Sequence, residues 1–491
     1  MEHLNQSYKR DGYRKSFKSI AIFGSLLVML IVAGCKKFIQ IPPPITSTNA
    51  TNVYTTDGDA AAVLTGIYAN LSNGGTGSPQ LLSMSVFLGL SADEFTLFNG
   101  NSNKSYLNYY RNQSDNNNAS VTSDFWSNAY QIIYVTNAAI SGLTNNTSLT
   151  PAVDKQLMGE AKFMRAFSYF YLVNLYGDVP LTTSTNASEN ARLSRTPAAQ
   201  VYQQIVSDLK DAQTLLSDQY VDGTILSVTS DRTRPTKWAA AALLARVYLY
   251  TKDWKDAETE ASMVIGNTGT YSLSPLNGAF LANSSEAIWQ LQPVQQGTNS
   301  VEAILFIIPP TGISEMNPIT LSAGLVGNFE QGDQRLTNWV GSFIDSTGST
   351  PITRYYAYKY KANYGAPVTE YEMVLRLGEQ FLIRAEAEAE LGDFPDASVD
   401  LNMIRTRAGL PNTTASSQST LLTAIQNERR VELFSEWGHR WLDLKRTGTV
   451  DAVMSVATPI KGGTWITSHQ LYPIANYELV NDPNLKQNPG Y

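Results

Sequence analysis

GEAKFMRAFSYFYLVNLYGDVPL, at residues 159–181, is the segment that decides the fold. Phe163, Phe167 and Phe170 recur at helical spacing, and nearby tyrosines widen the apolar stripe beyond one face. A glycine at residue 177 and a proline at residue 180 then end the segment, as these residues commonly end helices. The pattern predicts a core helix that has packing partners on several sides.

Amphipathic segments on both sides of this helix predict its partners. Two of them, residues 237–265 and 377–407, each join an alanine-rich helix to a second helix through a short turn, which is typical of a tetratricopeptide unit. We therefore expect a mainly α-helical protein built on a scaffold of tetratricopeptide-like helical pairs. The individual helices are expected at about residues 57–71, 124–142, 151–176, 201–216, 237–250, 254–265, 377–391 and 395–407.

Two stretches lack the helical pattern. Residues 271–367 form a large insertion in which Gly, Pro, Ser and Thr separate short apolar runs such as 287–291 and 304–308, so long irregular loops with short strands are predicted. Residues 91–118 are rich in Asn with interleaved aromatic residues, a composition that favours turns. Long loops in a compact helical protein are usually functional, and binding is the usual reason.

Residues 427–448, NERRVELFSEWGHRWLDLKRTG, predict one amphipathic helix near the C-terminus. Charged residues of both signs surround its apolar side, which includes Trp437 and Trp441. Paired acids of this kind could serve an enzyme. The favoured interpretation is structural, because such charges pair along a helix and with neighbouring helices. The final residues, 471–491, are predicted to be mostly turns.

The N-terminus carries the signals of secretion and lipid attachment. Basic residues at positions 9–18 precede a short apolar run at 20–32, and small residues then lead to Cys35. This pattern predicts a lipoprotein signal peptide at residues 1–34, since the apolar run is shorter than a membrane-spanning helix requires. An uncleaved membrane anchor is the alternative. Cys35 is the only cysteine, so no intrachain disulfide can form and lipidation is its expected role. The proline-containing residues 35–48 are expected to be a stiff, lipid-anchored spacer.

The net charge of the chain limits the kinds of ligand that it can bind. Without residues 1–34, 31 basic and 41 acidic residues remain, a net charge of −10. An acidic chain argues against nucleic acid as the ligand, because phosphate binding needs a basic face.

Five sequence blocks, in this order, together resemble the SusD/RagB family, the surface glycan-binding lipoproteins of Bacteroidetes. Any one block alone would be a weak sign, because tetratricopeptide-like helices are common. The blocks are the lipobox ending at Cys35, residues 159–181, the pair LIRAEAEAELGD (382–393) and LNMIRTRAG (401–409), ERRVELFSEWGHRWLDLKRTG (428–448), and the terminal YPIANYEL (472–479) with QNPGY (487–491).

The resemblance implies a SusD-like domain over residues 49–491. Its parts are an N-terminal helical part at about 49–270, the insertion at about 271–367 and a C-terminal helical part at about 368–491. It also implies a non-catalytic protein without cofactor or metal, held in the outer membrane by its lipid and facing the cell exterior. The implied partner is a SusC-like TonB-dependent transporter, which receives the captured oligosaccharide. Ala475 is a departure, because the family often has a second proline there.

The physics of sugar capture indicates which residues to test. A pyranose has an apolar face and a rim of hydroxyls, so a site needs exposed aromatic rings beside Asn, Asp, Gln or Arg. For any single aromatic residue, core packing remains the alternative. The candidates come from the Asn-rich stretch and from the insertion: Asp93, Phe98, Asn99, Asn101, Tyr106, Tyr109, Tyr110, Trp339 and Tyr356.

Enzyme activity is not expected. The chain has three histidines without HExxH spacing, and no GxSxG or P-loop string appears. Glycoside hydrolysis needs only two suitably placed carboxylates, so it stays an alternative. Two further alternatives are a RagB-like lipoprotein that binds peptides and a structural subunit of the transporter without a ligand of its own.

Overall fold

The structure is a computed structural model that describes residues 53–73, 84–114, 119–346, 348–365 and 367–491. The predicted signal peptide at 1–34, the predicted lipidation site Cys35 and the predicted spacer at 35–48 lie outside these residues. None of the described helices combines the length and apolar character needed to cross a membrane.

The N-terminal part is helical, as predicted. A short 3₁₀ turn at Val53–Thr55 precedes the first helix. The helices and the one strand described in this part are α1 (Asp57–Ser72), α2 (Met84–Ser91), β1 (Phe95–Leu97), α3 (Lys104–Arg111), α4 (Ala119–Leu143), α5 (Pro151–Tyr176), α6 (Ala187–Asn190), α7 (Ala198–Leu215), α8 (Lys237–Thr251) and α9 (Trp254–Ile265).

The Asn-rich stretch is more regular than its composition predicted, because it contains β1 and α3. Its own asparagines set the limits of α3. The Asn103 side chain accepts hydrogen bonds from the first backbone N–H groups of the helix, and Asn112 ends it in the left-handed conformation with φ of 50°. Asn therefore caps a helix here instead of excluding one.

The insertion contains short strands among loops and very short helices. Its elements are β2 (Ala287–Leu291), α10 (Val301–Phe306), β3 (Ile319–Leu321), α11 (Ala323–Val326), α12 (Gln334–Asn338), β4 (Val340–Asp345) and β5 (Ile352–Ala357), with a 3₁₀ turn at Leu276–Gly278. The strand predicted at 287–291 is confirmed. The strand predicted at 304–308 is wrong, since Ser300 caps a helix there by accepting a hydrogen bond from the Glu302 N–H.

The C-terminal part returns to helices after one strand. Its elements are β6 (Glu372–Arg376), α13 (Leu377–Leu391), α14 (Phe394–Arg407), α15 (Gln418–Glu432), α16 (His439–Arg446), α17 (Val450–Ile460) and α18 (Asn476–Asn481), with a 3₁₀ turn at Thr467–Gln470.

The single helix predicted at 427–448 is wrong, because the chain breaks between α15 and α16. Ser435 and Trp437 adopt left-handed backbone conformations, with φ of 55° and 44°. This conformation cannot continue a right-handed helix, and it costs a side-chain-bearing residue energy that its surroundings must offset. The Trp437 N–H donates to the Ser85 Oγ at 2.8 Å, and its indole Nε1 donates to the Met373 carbonyl at 2.8 Å.

The long helices pack in a continuous series. Helix α4 packs on α5, α5 on α7, α7 on α8, α8 on α9, α9 on α13, and α13 on both α14 and α15. Because α9 contacts α13 directly, the helices before the insertion and those after it form one scaffold. The tetratricopeptide-like architecture is confirmed.

The strands pair in antiparallel twos: β1 with β3, β2 with β6, and β4 with β5. Strand β1 belongs to the Asn-rich stretch and β3 to the insertion, with Phe95 opposite Leu321 and Leu97 opposite Ile319. These two loop regions are therefore joined by backbone hydrogen bonds although they are far apart in sequence.

Helix α5 is the centre of the aromatic core. Phe167 is fully buried and meets Trp289 of β2 edge-on at 5.5 Å and Trp437 at 5.6 Å between ring centroids. Phe163 also meets Trp289, at 5.2 Å. The predicted requirement for partners on several sides is met by a strand and by the turn after α15.

A buried network of charges joins the insertion to the C-terminal helices. Arg376 of β6 contacts Glu432 of α15 at 2.6 Å, Glu286 beside β2 at 2.9 Å and Glu436 at 2.7 Å. Glu432 also accepts hydrogen bonds from Arg335 of α12 and Arg407 of α14. The structural interpretation of these charges is confirmed.

Substituting Glu432 with Gln should destabilise the protein strongly. Burial would raise the pKa of Glu432, but Arg407, Arg376 and Arg335 outweigh it and hold that pKa well below its usual value. The variant leaves these arginines buried with less compensating charge, so we expect urea denaturation to show a loss of about 3–5 kcal/mol. The matched control is Glu258→Gln at the exposed pair with Lys255, where the loss should stay below about 1 kcal/mol. Equal losses would contradict the assignment.

His439 should make stability fall in mildly acidic solution. It is buried 4.0 Å from Glu379, and burial lowers the pKa of His439 to about 4 from its ordinary 6.5. Between pH 6.5 and pH 4, His439 binds a proton in the unfolded chain but stays neutral in the folded chain. The free energy of unfolding is therefore unaffected by the titration of His439 above pH 6.5. Between pH 6.5 and pH 4 it falls by up to ~1.4 kcal/mol for each pH unit.

His439→Gln removes this titration, so its free energy of unfolding should depend less steeply on pH between 6.5 and 4 than that of the wild type. Urea denaturation at several pH values measures the difference. His469→Gln, at a half-buried histidine, serves as the control and should keep most of the slope. An unchanged slope in His439→Gln would rule out the assignment.

Candidate ligand-binding surface

The structure brings the two predicted binding stretches together through strand β3. Strand β1 of the Asn-rich stretch pairs with β3, and β3 also packs against β5 of the insertion. The loop after β1 is tied to the segment before β3, since the Phe98 N–H donates to the Pro318 carbonyl at 2.7 Å. We call this region the β1–β3–β5 surface.

Phe98 lies at the beginning of this surface, directly after β1. Its side chain is half-buried, and the following Asn99 and Gly100 are exposed. A Cβ atom added at Gly100 would lie 2.7 Å from the Phe98 ring. Glycine is therefore required for the loop to lie this close to the ring.

Tyr356 of β5 has a similar arrangement. It lies opposite Gly341 of β4, and a Cβ atom added at Gly341 would be 2.3 Å from the Tyr356 ring. The ring is half-buried and meets Tyr358 edge-on at 5.8 Å. One part of the ring thus rests on the backbone of the neighbouring strand while the rest stays open to solvent.

Polar groups that can bond hydroxyls accompany the Phe98 loop. Exposed Ser102 donates to the Glu315 carboxylate through its Oγ at 2.7 Å and its N–H at 3.1 Å, which lowers the pKa of Glu315. Asn101 is buried, and its Oδ1 accepts from the Asn103 N–H at 3.0 Å. Among the described residues, its Nδ2 has no hydrogen-bond partner, and this nitrogen is itself enclosed, so Asn101 shapes the loop from inside and presents no free donor at the surface.

Asp93 positions the loop rather than offering a free carboxylate. Its Oδ1 accepts from Arg440 at 2.7 Å and its Oδ2 from Arg430 at 2.7 Å. Burial would raise the pKa of Asp93, but Arg440 and Arg430 outweigh it and leave that pKa below its usual value. Beside it, burial and the Asp93 charge raise the pKa of Glu94 to about 8. A ligand that contacts Asp93 would therefore meet an ion-paired carboxylate with Arg430 and Arg440 beside it.

The three tyrosines predicted from α3 differ in burial. Tyr109 is fully buried against Phe87 at 4.6 Å and Tyr472 at 5.3 Å, so it offers no ring face to a sugar. Tyr106 and Tyr110 are half-buried and pack against the core. The prediction of Tyr109 as a binding residue is therefore wrong. Its position on α3 turns its side chain toward α2 and the C-terminal segment, where it packs in the core.

Trp339 is also fully buried, because its ring packs against three cationic side chains. Its ring lies 4.9 Å from the Lys359 ammonium, 5.5 Å from the Arg407 guanidinium and 5.9 Å from that of Arg376. Its indole N–H donates to the Leu276 carbonyl at 2.9 Å. Trp339 therefore packs under the buried charge network as a cation–π partner and cannot serve as an exposed platform.

Tyr358 and Lys361 lie beside the predicted Tyr356 in this region. Tyr358 is half-buried beside Tyr356, and the Lys361 ammonium lies 4.2 Å from its ring. Lys361 also donates to the carbonyls of Asn338 and Tyr358, and burial lowers its pKa to about 8. Tyr358 belongs to a run of tyrosines at positions 355, 356, 358 and 360 that marks this stretch of the insertion as a candidate from the sequence alone, whereas no local sequence pattern marks Ser102, Glu315 or Lys361.

One pair of carboxyl groups with raised pKa values is enclosed in the protein. Glu302 and Glu372 are buried, and Glu372 accepts a hydrogen bond from Ser300 at 2.7 Å. Burial raises the pKa of Glu372 to about 7 and that of Glu302 above its usual range, with the Glu372 charge adding to the latter. A glycosidase must bring both carboxyl groups to the scissile bond, which this enclosed pair cannot do.

Two family models match the chain. Residues 46–249 match the model described as "Starch-binding associating with outer membrane", and residues 319–491 match the model of the SusD family. The first match covers most of the N-terminal helical part, as far as α8, and the second covers the C-terminal helical part together with β3, β4 and β5.

Individual relatives agree with these models. SusD-like protein P2 of Formosa agariphila is 27% identical over 95% of this chain and 98% of its own length. The fold is shared by a SusD superfamily protein from Bacteroides vulgatus, with a TM-score of 0.75, 22% identity, and coverage of 89% of this chain and 99% of that one. A laminarin-binding SusD-like protein has a TM-score of 0.72 and 25% identity, covering 88% of this chain and 99% of its own.

Gly341→Ala should test how Tyr356 is seated. The added methyl group would collide with the ring, so we expect a loss of about 1–3 kcal/mol in the free energy of unfolding. In a Tyr356→Ala background the ring is gone, and the same substitution should cost almost nothing. Urea denaturation of this double-mutant cycle measures the coupling. Gly269→Ala, where an added Cβ meets open space, is the control. Equal costs in both backgrounds would show that the ring does not rest on Gly341.

Proposed function

The chain belongs to the SusD/RagB family, and on that premise we propose that it binds oligosaccharides or polysaccharide fragments at the β1–β3–β5 surface. The observation that carries the proposal is the pair of half-buried rings, Phe98 and Tyr356, each resting against a glycine. A ring that rests against backbone on one side has fewer positions open to it, so binding would remove less conformational freedom from it.

The chemistry beside the rings favours a sugar. The apolar face of a pyranose can stack on an aromatic ring, and its hydroxyls need both donors and acceptors. The Phe98 loop offers the exposed Asn99 amide and Ser102, and the exposed Glu315 carboxylate lies beside Ser102. This combination of apolar faces with a few convergent polar groups is what a small-ligand site requires.

We propose that this binding is non-catalytic and serves uptake. The protein would be attached to the outer membrane by a lipid on Cys35, face the cell exterior, and pass the glycan to a SusC-like TonB-dependent transporter. Support comes from the N-terminal sequence pattern and from the family description, which associates these proteins with starch and the outer membrane.

The first glycan to test is a β-glucan. The laminarin-binding relative is similar over most of its length, and its name states its ligand. A panel should therefore include laminarin oligosaccharides together with starch, cellulose and host-type oligosaccharides.

Removing either ring should weaken glycan binding. We expect isothermal titration of residues 36–491 to show heat with at least one glycan of the panel. Phe98→Ala and Tyr356→Ala should each reduce the affinity about tenfold, since the loss of a stacking face removes on the order of 1 kcal/mol. The controls Phe98→Tyr and Tyr356→Phe keep the rings and should bind within about twofold of the wild type.

Other outcomes point to the other two functions. Heat with a peptide library instead of glycans would favour a RagB-like peptide-binding lipoprotein. If no soluble compound raises the melting temperature of the folded protein, a structural transporter subunit is favoured, because a ligand of the native state must stabilise it. Reducing ends released from a bound glycan would contradict the non-catalytic role.

A further inference from the structure

A second cleft lies on the helical scaffold, and none of the residues that line it belongs to the β1–β3–β5 surface. Its walls are helix α4, the segment at residues 180–193 and helix α18, and its cavity volume is about 340 Å³. This volume falls at the lower end of the range of ligand pockets, about 300–1,000 Å³. None of the candidate residues predicted from the sequence lines it.

One wall of the cleft is a row of aromatic rings. Trp126, Tyr130 and Tyr134 are four residues apart on α4, so they lie on one face of the helix. Trp126 is buried and meets Tyr176 edge-on at 5.1 Å, and Tyr130 is half-buried. Tyr134 is 56% exposed. The exposure of the rings therefore increases along the cleft from Trp126, which is buried, to Tyr134, which is open to solvent.

The walls are fastened to one another by hydrogen bonds. The Tyr130 hydroxyl donates to the Pro180 carbonyl at 2.7 Å, which links α4 to the segment 180–193. Tyr477 of α18 shares a 2.7 Å hydrogen bond with Ser127 of α4, and Asn484 donates to the Arg192 carbonyl at 2.9 Å. These hydrogen bonds fix the positions of the three walls relative to one another.

The polar side of the cleft is acidic. Helix α18 contributes Glu478 and Asn481, and Asp482 follows it. Burial raises the pKa of Glu478, and the charge of Asp482 adds to this rise. Among the described residues that line the cleft, none is Lys, Arg or His. A ligand with negative charge would therefore be repelled, whereas hydroxyl groups would find acceptors.

We propose that this cleft is a second carbohydrate subsite, which takes an uncharged pyranose unit with its apolar face on Tyr134 and its hydroxyls toward Glu478 and Asn481. The choice of a sugar rests on the proposed function, while the cleft itself does not. A peptide fits less well, because helices α4 and α18 present no free backbone edge for an extended chain. A subsite of this kind would let one chain hold a long polysaccharide at two places and raise its overall affinity.

The test separates the two surfaces by substitution in the chain of residues 36–491. Phe98→Ala with Tyr356→Ala disables the first surface, and titration with a neutral hexasaccharide such as laminarihexaose then reports the second. We expect residual binding in this background, reduced about tenfold or more by Tyr134→Ala and retained in Tyr134→Phe. Tyr364→Ala, at another exposed tyrosine, should leave the residual binding unchanged. An oligogalacturonate of the same length should not bind in this background.

The outcomes are distinguishable. Residual binding that depends on Tyr134 supports the subsite. If the wild type binds the hexasaccharide but the Phe98→Ala, Tyr356→Ala variant does not, or if Tyr134→Ala changes nothing, the second subsite is overturned and the proposed function stands. If the folded wild type binds no glycan at all, both the proposed function and this inference fail.

Discussion

The buried contact between Arg376 and Glu432 is the interaction on which the rest of the structure depends. It joins strand β6, which follows the insertion, to helix α15, and both side chains are removed from water. Dehydrating such charges costs several kcal/mol per ion, so an isolated pair would gain little. Here each charge has several partners, since Glu432 receives three arginines and Arg376 reaches three carboxylates. The network is stable only when all its elements are in place, which favours one arrangement of the insertion on the helices.

This constraint has a consequence for binding. Strands β4 and β5 of the insertion continue from helix α12, whose Arg335 belongs to the network, and Lys359 just after β5 contacts Glu436. On the other side, Arg430 and Arg440 hold Asp93 immediately before β1. The loops that carry Phe98 and Tyr356 are therefore attached at their ends to the rigid helical scaffold. Ring faces held in this way lose little conformational freedom when a ligand binds, which is the physical advantage of a preformed site.

Whether an aromatic side chain of this protein is buried or exposed depends on the groups that pack against its ring. Trp339 faces buried cations and Tyr109 faces other aromatic rings, so both are enclosed. Phe98 and Tyr356 rest against glycines, which bring the backbone close on one side and leave the other side open. Tyr134 ends a row of rings and protrudes from it. The same residue types thus serve as core or as surface according to their neighbours.

The sequence by itself determined the helical scaffold, because a pattern such as Phe163, Phe167 and Phe170 is local and its spacing specifies the buried face. It also determined the family, since five blocks in order are visible without coordinates. Only the tertiary structure decided which aromatic residues are open, because burial depends on segments distant in the chain, such as Gly341 beside Tyr356 or Arg407 beside Trp339. The break between α15 and α16 was equally invisible, since Ser435 and Trp437 adopt left-handed backbone only where buried partners offset the strain. Short-range patterns carry information about periodicity, whereas contacts between distant segments decide exposure.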